Sequence, residues 1–172
     1  MAVGMQPLRG QDNTAIGTAV TEIERLDVLR SQLAATFAQS GAPANQQAFA
    51  EVCKPVGQSM QQLGTANGWT VRQLATKNQN PANAADPEAV RHRRRFVQDT
   101  SIMSLTLRTA VNGKPGVRSL RRITVESSCL ACHGARASRP SFVVSNYPKD
   151  RAFDFRTGDL RGLYSVFIPS KP

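Results

Sequence analysis

"LTLRTAVNGKPGVRSLRRITV", residues 105–125, reads as strand, turn and strand. Asn112-Gly113 is the two-residue signature of a hairpin turn, because both positions accept positive φ and the turn then matches the twist of its flanking strands. Working outward, "WTVRQLAT" (69–76) alternates around an aromatic as a strand does, and "GLYSVFIP" (162–169) closes the sheet near the C-terminus. Upstream the period changes. Ile16, Val20, Ile23, Leu26, Leu33 and Phe37 follow one drifting face of a long helix over 14–40, which "SGAPAN" (40–45) interrupts. "QQAFAEVCKPVGQSMQQLG" (46–64) predicts a second helix with Phe49, Val52, Cys53, Val56, Met60 and Leu63 on its apolar face. Pro55 is expected to interrupt that helix just after Cys53, since it lacks an N–H and crowds the carbonyl four residues back. A third helix starts at Pro87 with Asp86 as its cap and turns Ala89, Val90, Phe96 and Val97 inward. The sum is an α+β fold, an antiparallel sheet with long N-terminal helices packed on it. It divides into an N-terminal segment and long helix (1–40) and a sheet-bearing domain (41–172).

The 172 residues can bury a real core, and 40% hydrophobic against 20% charged residues excludes disorder by composition. No run approaches the ~18–20 apolar residues of a membrane span. "MAVGMQPLRGQDNT" has no apolar h-region and reads as a terminus from which any export signal has been removed.

"SSCLACHGARA" (127–137) carries the chemistry. Cys129, Cys132 and His133 spell C-x-x-C-H. Two cysteines three apart reach the two vinyl groups of one porphyrin, and the next histidine falls under the iron as proximal ligand. The spacing therefore points to one covalently attached haem c. The alternatives are a redox C-x-x-C pair, or a zinc site completed by Cys53 and a histidine, which lacks a second pair at zinc-finger spacing. A second axial ligand has few sources. Periodicity leaves Cys53 either a small core residue or a ligand. Met60 and Met103 read as core, and His92 in "RHRRR" as the flank of a basic helix. Arg93, nearest the middle of that helix's apolar face, either snorkels or contacts a haem propionate. "KNQNPANAADP" (77–87) reads as a long ordered loop of the kind that is often functional. Asp150, Asp154 and the "RTGDLRG" turn read as loop polars.

Taken in order, "VCKPV", "GWTVRQLATKNQNPANAADPEA", "CLACHG" and "YPKDRAFDFRTGDLRGLYSV" resemble the PAS-like c-type cytochromes, over about residues 45–170. That family includes a cyanobacterial member associated with photosystem II and periplasmic sensor domains. The resemblance implies a PAS-like sheet, with the haem iron held by the motif histidine, here His133, as proximal ligand and by an upstream cysteine, here Cys53, as distal ligand. One departure stands at Gln79, where the family often carries a basic residue before the N-P. A thiolate ligand favours the ferric state and lowers the reduction potential. The resemblance also implies assembly outside the cytoplasm, in a periplasm or thylakoid lumen.

The net charge of +10 gathers in Arg91, Arg93, Arg94 and Arg95 and in Arg118, Arg121 and Arg122. Nucleic acid is disfavoured as partner, since aromatic residues are only 6% and no nucleic-acid motif is present. An acidic redox partner or an anionic membrane surface suits the charge better, beside an ordinary solvated basic surface. The functions that follow are redox or small-gas (CO or NO) sensing, then electron transfer, then a haem enzyme acting on sulfur or peroxide. No acid/base dyad commits the chain to catalysis.

Overall fold

The computed structural model describes residues 10–171, so most of the stretch read as a processed terminus lies outside the described residues. Two long helices come first, α1 (Gly10–Ser40) and α2 (Gln46–Asn67). Asn45 caps α2 by accepting the Ala48 N–H at 2.9 Å. Strand β1 (Thr70–Leu74) and helix α3 (Pro87–Gln98) follow, then β2 (Ser104–Val111) and β3 (Lys114–Thr124). A single turn, α4 (Leu130–His133), and a short α5 (Ser141–Asn146) lead to β4 (Leu160–Pro169). The strands form one antiparallel sheet in the order β1-β4-β3-β2. The α+β architecture read from the sequence is the one observed. Asn112 and Gly113 close the β2–β3 hairpin at φ +51° and +76°, as the turn chemistry requires. No helix among the described residues is long and apolar enough to cross a membrane.

Both faces of the sheet are covered. On one face Tyr164, Val166 and Ile123 pack against Ala19, Ile23 and Leu26 of α1 and Val56 and Met60 of α2. On the other, Leu120 and Leu163 pack against Phe96 of α3. This is why β3 and β4 are buried almost throughout while the edge strand β2 alternates.

Two local expectations are corrected. Helix α2 runs through Pro55 without a break. The missing N–H leaves the Glu51 carbonyl without its helical donor, but packing of Val56 and Met60 on the sheet holds the rod together. Val90 and Val97 of α3 point outward, because only Ala89 and Phe96 lie on the stripe that meets the sheet.

The basic cluster of β3 is corrected as well. Arg118, Arg121 and Arg122 are buried, and each fastens a helix to the sheet. Arg118 donates to Asp86 at 2.6 and 3.0 Å and to Glu88 at 2.9 Å, clamping the N-terminus of α3. Arg122, on the same face, donates to the carbonyls of Phe96 and Ile102 near the other end of α3. Arg121 faces the opposite way and holds Glu24 and Asp27 of α1 at 2.9 Å. These cations are internal fasteners and contribute nothing to a basic surface.

The α3 clamp gives a stability prediction. The Arg118 hydrogen bond, with the Ala89 N–H helping, holds the Asp86 carboxyl below its ordinary value. Burial pulls Glu88 the other way, yet its hydrogen bonds from Thr109 and Arg118 leave it depressed as well. Depressed carboxyls stabilise the fold above their ordinary range near ~4 and lose that contribution as pH falls through the folded values. Arg118→Ala should cost about 3–5 kcal/mol at neutral pH, as breaking a buried pair does. Urea unfolding at pH 7 and pH 3 should show the wild type losing stability on acidification and the variant losing much less.

Candidate functional site

The C-x-x-C-H residues occupy a 3-10 turn (Ser127–Cys129) running directly into α4. A turn this tight sets Cys129, Cys132 and His133 within a few residues of arc, and Gly134 ends it by donating to the Leu130 carbonyl at 2.9 Å. A Cβ at Gly134 would stand 2.6 Å from that carbonyl, so only glycine fits the stop. Cys129 and Leu130 pack on Val125, Ala152 and Phe155, which seats the turn beside the end of β3.

His133 is fixed from behind. Its Nδ1 lies 2.8 Å from the Ala152 carbonyl, and Phe155 meets the ring edge-on with centroids 6.4 Å apart. Burial, with Arg161 nearby, pushes the His133 pKa down to about 4 against the opposing Ala152 bond, so the ring is neutral at physiological pH. A carbonyl only accepts, so Nδ1 carries the hydrogen and Nε2 the lone pair. Asp150 supports this arrangement from below, with its carboxylate accepting the Ala152 N–H at 2.8 Å and Arg139 at 2.9 Å. Asp150 is thus a buried anchor for the irregular segment under His133, where the sequence suggested an ordinary loop polar.

In front of His133 lies a cavity of about 460 Å³ between α1, α2 and the first face of the sheet. Cys53, Cys129, Cys132 and His133 all line it, from segments far apart in the chain. Cys53 has open surface, yet burial, with Cys132 and Cys129 adding, pushes its thiol pKa up to about 11. The two observations agree if the open surface faces the cavity and not bulk water. None of the three cysteines forms a disulfide. Asn78, Gln79, Asn80 and Asn83 bring the ordered loop to the rim, so Gln79 stands at the site. That loop is held by Ala75, whose N–H donates to the Asn83 carbonyl at 2.9 Å and whose carbonyl accepts from Ala85 at 3.0 Å.

The other candidates are elsewhere. Met60 is core, as read. Met103 is 46% exposed and does not line the cavity. His92 and Arg93 sit on α3, against the opposite face of the sheet, and neither lines the cavity. The propionate contact, one of the two roles left open for Arg93, finds no support in this placement, since the sheet stands between α3 and the cavity. The cations that do line the cavity are Arg30, Lys54 and Arg161. Arg161 escaped the sequence reading because strict alternation along β4 sets it on the face opposite Gly162. The register of β3 with β4 slips there: Ile123 opposes Gly162 and Thr124 opposes Leu160. Arg161 is the extra residue of a β-bulge, and both it and Gly162 reach the cavity. Its guanidinium donates to the Lys77 carbonyl at 3.1 Å and pairs with no carboxylate among the described residues. A half-hidden cation without a counter-ion, facing a cavity, suits an anionic group placed there. Arg30 is different, being already paired with Asp27 and Glu126.

The volume falls in the range of small-molecule and cofactor sites, ~300–1,000 Å³. No cluster of three or more His, Cys, Asp or Glu among the described residues stands close enough to hold a bare metal ion. Thiols that can be alkylated, a neutral imidazole offering Nε2, a further thiol on the same cavity wall and an unpaired arginine all fit a large, flat, carboxylate-bearing metal cofactor.

Fold and site together define an α+β domain with a cofactor-sized cavity between a helix pair and one sheet face, its wall carrying a C-x-x-C-H turn. The chain belongs to the Tll0287-like family, whose sequence profile matches residues 9–169. It is similar to a solved structure described as the cyanobacterial heme-protein Tll0287, with 41% identity, a TM-score of 0.80, and coverage of 92% of this chain and 96% of that one. None of the curated proteins matches the chain.

Proposed function

We propose that this protein binds a single haem c covalently and uses it for redox or small-gas sensing. The observation that carries the reading is the convergence of Cys53, Cys129, Cys132 and His133 on one cavity. The relative described as a heme-protein supports haem as the cofactor. Haem bound there supplies a redox-active iron. Cys129 and Cys132 would hold it through thioethers, His133 Nε2 would be the proximal ligand and Cys53 the distal one. Arg161, in place of Arg93, would face its negative charge. PAS-like architecture and an exported location, periplasm or thylakoid lumen, belong to the same reading.

Sensing needs one ligand that can leave. His133 is braced by Ala152 and Phe155, with Asp150 holding Ala152, whereas the Cys53 thiol makes no hydrogen bond among the described residues. With α2 unbroken, Cys53 would release by turning its own side chain while the helix stays in place. A thiolate suits the ferric state, so reduction weakens the reason to hold it. Absorption and EPR spectra of oxidised and reduced protein, with and without CO or NO, test this. Reduced protein is expected to bind CO or NO, and oxidised protein to refuse CO. Reduced protein that keeps both ligands and refuses both gases would leave electron transfer as the function, the second reading.

A further inference from the structure

Burial of Arg118, Arg121 and Arg122 removes half of the basic clusters visible in the sequence and raises the question of where the excess positive charge meets solvent. Much of the acidic charge is spent internally, on Arg118, Arg121, Arg30 and Arg139. On α3, Arg91, Arg94 and Arg95 are exposed, but the sheet separates them from the cavity. A second basic surface lies directly behind His133. There the Phe153 ring has Arg139 at 4.9 Å, Arg136 at 5.2 Å and Lys77 at 5.9 Å from its centroid. Lys149, Arg151 and Arg156 of the same segment are exposed. The carboxylates here are Asp150, buried and engaged with Arg139, Asp154, which accepts the Arg136 N–H at 3.0 Å, and Asp159, which accepts the Arg156 N–H at 2.8 Å.

Resting on the haem reading above, we propose that this surface around Phe153 docks an acidic redox protein and is where electrons leave the site. Phe153 follows Ala152, whose carbonyl meets His133 Nδ1 at 2.8 Å. A partner seated on Phe153 is thus one residue and one hydrogen bond from the imidazole. One electron leaves the reduced site, which is oxidised, and enters the partner's redox centre, which is reduced. An aromatic centre ringed by arginines is the composition of protein interfaces. An anionic membrane surface fits less well. Interfacial anchors insert apolar side chains, and the exposed large apolar residues (Val28, Val90, Val97, Met103, Val144) all lie outside the 134–139 and 149–156 segments.

The test uses haem-loaded protein, reduced, in stopped flow against ferricyanide as anionic oxidant and tris(phenanthroline)cobalt(III) as cationic one. At about 0.1 M salt the Debye length is ~10 Å, so charges across the sheet are screened. Arg136→Glu with Arg151→Glu should slow ferricyanide by roughly tenfold and speed the cobalt complex, with both effects vanishing near 1 M salt. Arg94→Glu with Arg95→Glu on α3 should change neither rate. Equal or larger effects from the α3 pair, or none from the Arg136 pair, overturn the docking role alone. So does wild-type binding to phosphatidylglycerol vesicles that the Arg136 pair abolishes while leaving the ferricyanide rate unchanged. Protein that acquires no haem absorption overturns the functional reading and this role with it.

Discussion

Replacing Cys129 and Cys132 together by alanine is expected to leave a protein whose haem is removed by acid acetone, while the wild type keeps it on the chain. Each thiol adds across one vinyl group, so the S–H bond breaks, an S–C bond forms and nothing is expelled. Denaturing mass spectrometry of the wild type should therefore give polypeptide plus one whole haem, and of the double variant the bare polypeptide. Neither cysteine carries a structural disulfide, and neither lies in the main core clusters. The variant should still fold, and far-UV circular dichroism would verify that. A wild-type mass equal to the bare polypeptide would falsify covalent attachment. Protein made without export should be apoprotein in either case, because thioether assembly belongs to the compartment proposed for it.

Cys53→Ala should produce the second large effect. If Cys53 is the distal ligand as proposed, its loss would leave His133 alone on the iron, so cyanide or imidazole in the ferric state and CO in the ferrous state should bind readily. The reduction potential should rise, because thiolate donation that favoured the ferric form is gone. Met60→Leu should leave the spectrum unchanged and cost under ~1.5 kcal/mol, since Met60 is a core side chain and the swap nearly conserves volume. His92→Ala should also leave the spectrum unchanged, because the sheet lies between α3 and the cavity. A spectrum altered by His92→Ala or Met60→Leu and untouched by Cys53→Ala would move the distal ligand away from α2.

A basic face behind His133 also changes how the protein's charge is understood. Counting arginines along the chain makes β3 the most cationic strand, yet its arginines are consumed in fastening α1 and α3 to the sheet. Surface charge is what remains after such pairing. Here it remains around Phe153 and along the outer side of α3.

The features legible from sequence alone were those encoded within a few consecutive residues. Asn112-Gly113 determines its hairpin because left-handed backbone is a property of those two residues. Asp86 caps α3, and C-x-x-C-H forms one turn, for equally local reasons. The 3.6 and 2.0 periodicities of the helices and strands followed from which side chains avoid water. Tertiary structure decided everything that depends on what stands opposite a residue. It carried α2 through Pro55, because packing along the whole helix outweighs one lost hydrogen bond. It buried Arg118, Arg121 and Arg122, because carboxylates and carbonyls from distant segments meet them there. It turned Arg161 into the cavity, because a single-residue slip between β3 and β4 breaks the alternation that a sequence pattern assumes. And it brought Cys53 and His133, 80 positions apart in the chain, onto the wall of one cavity, because two helices and a sheet had to share one core around them.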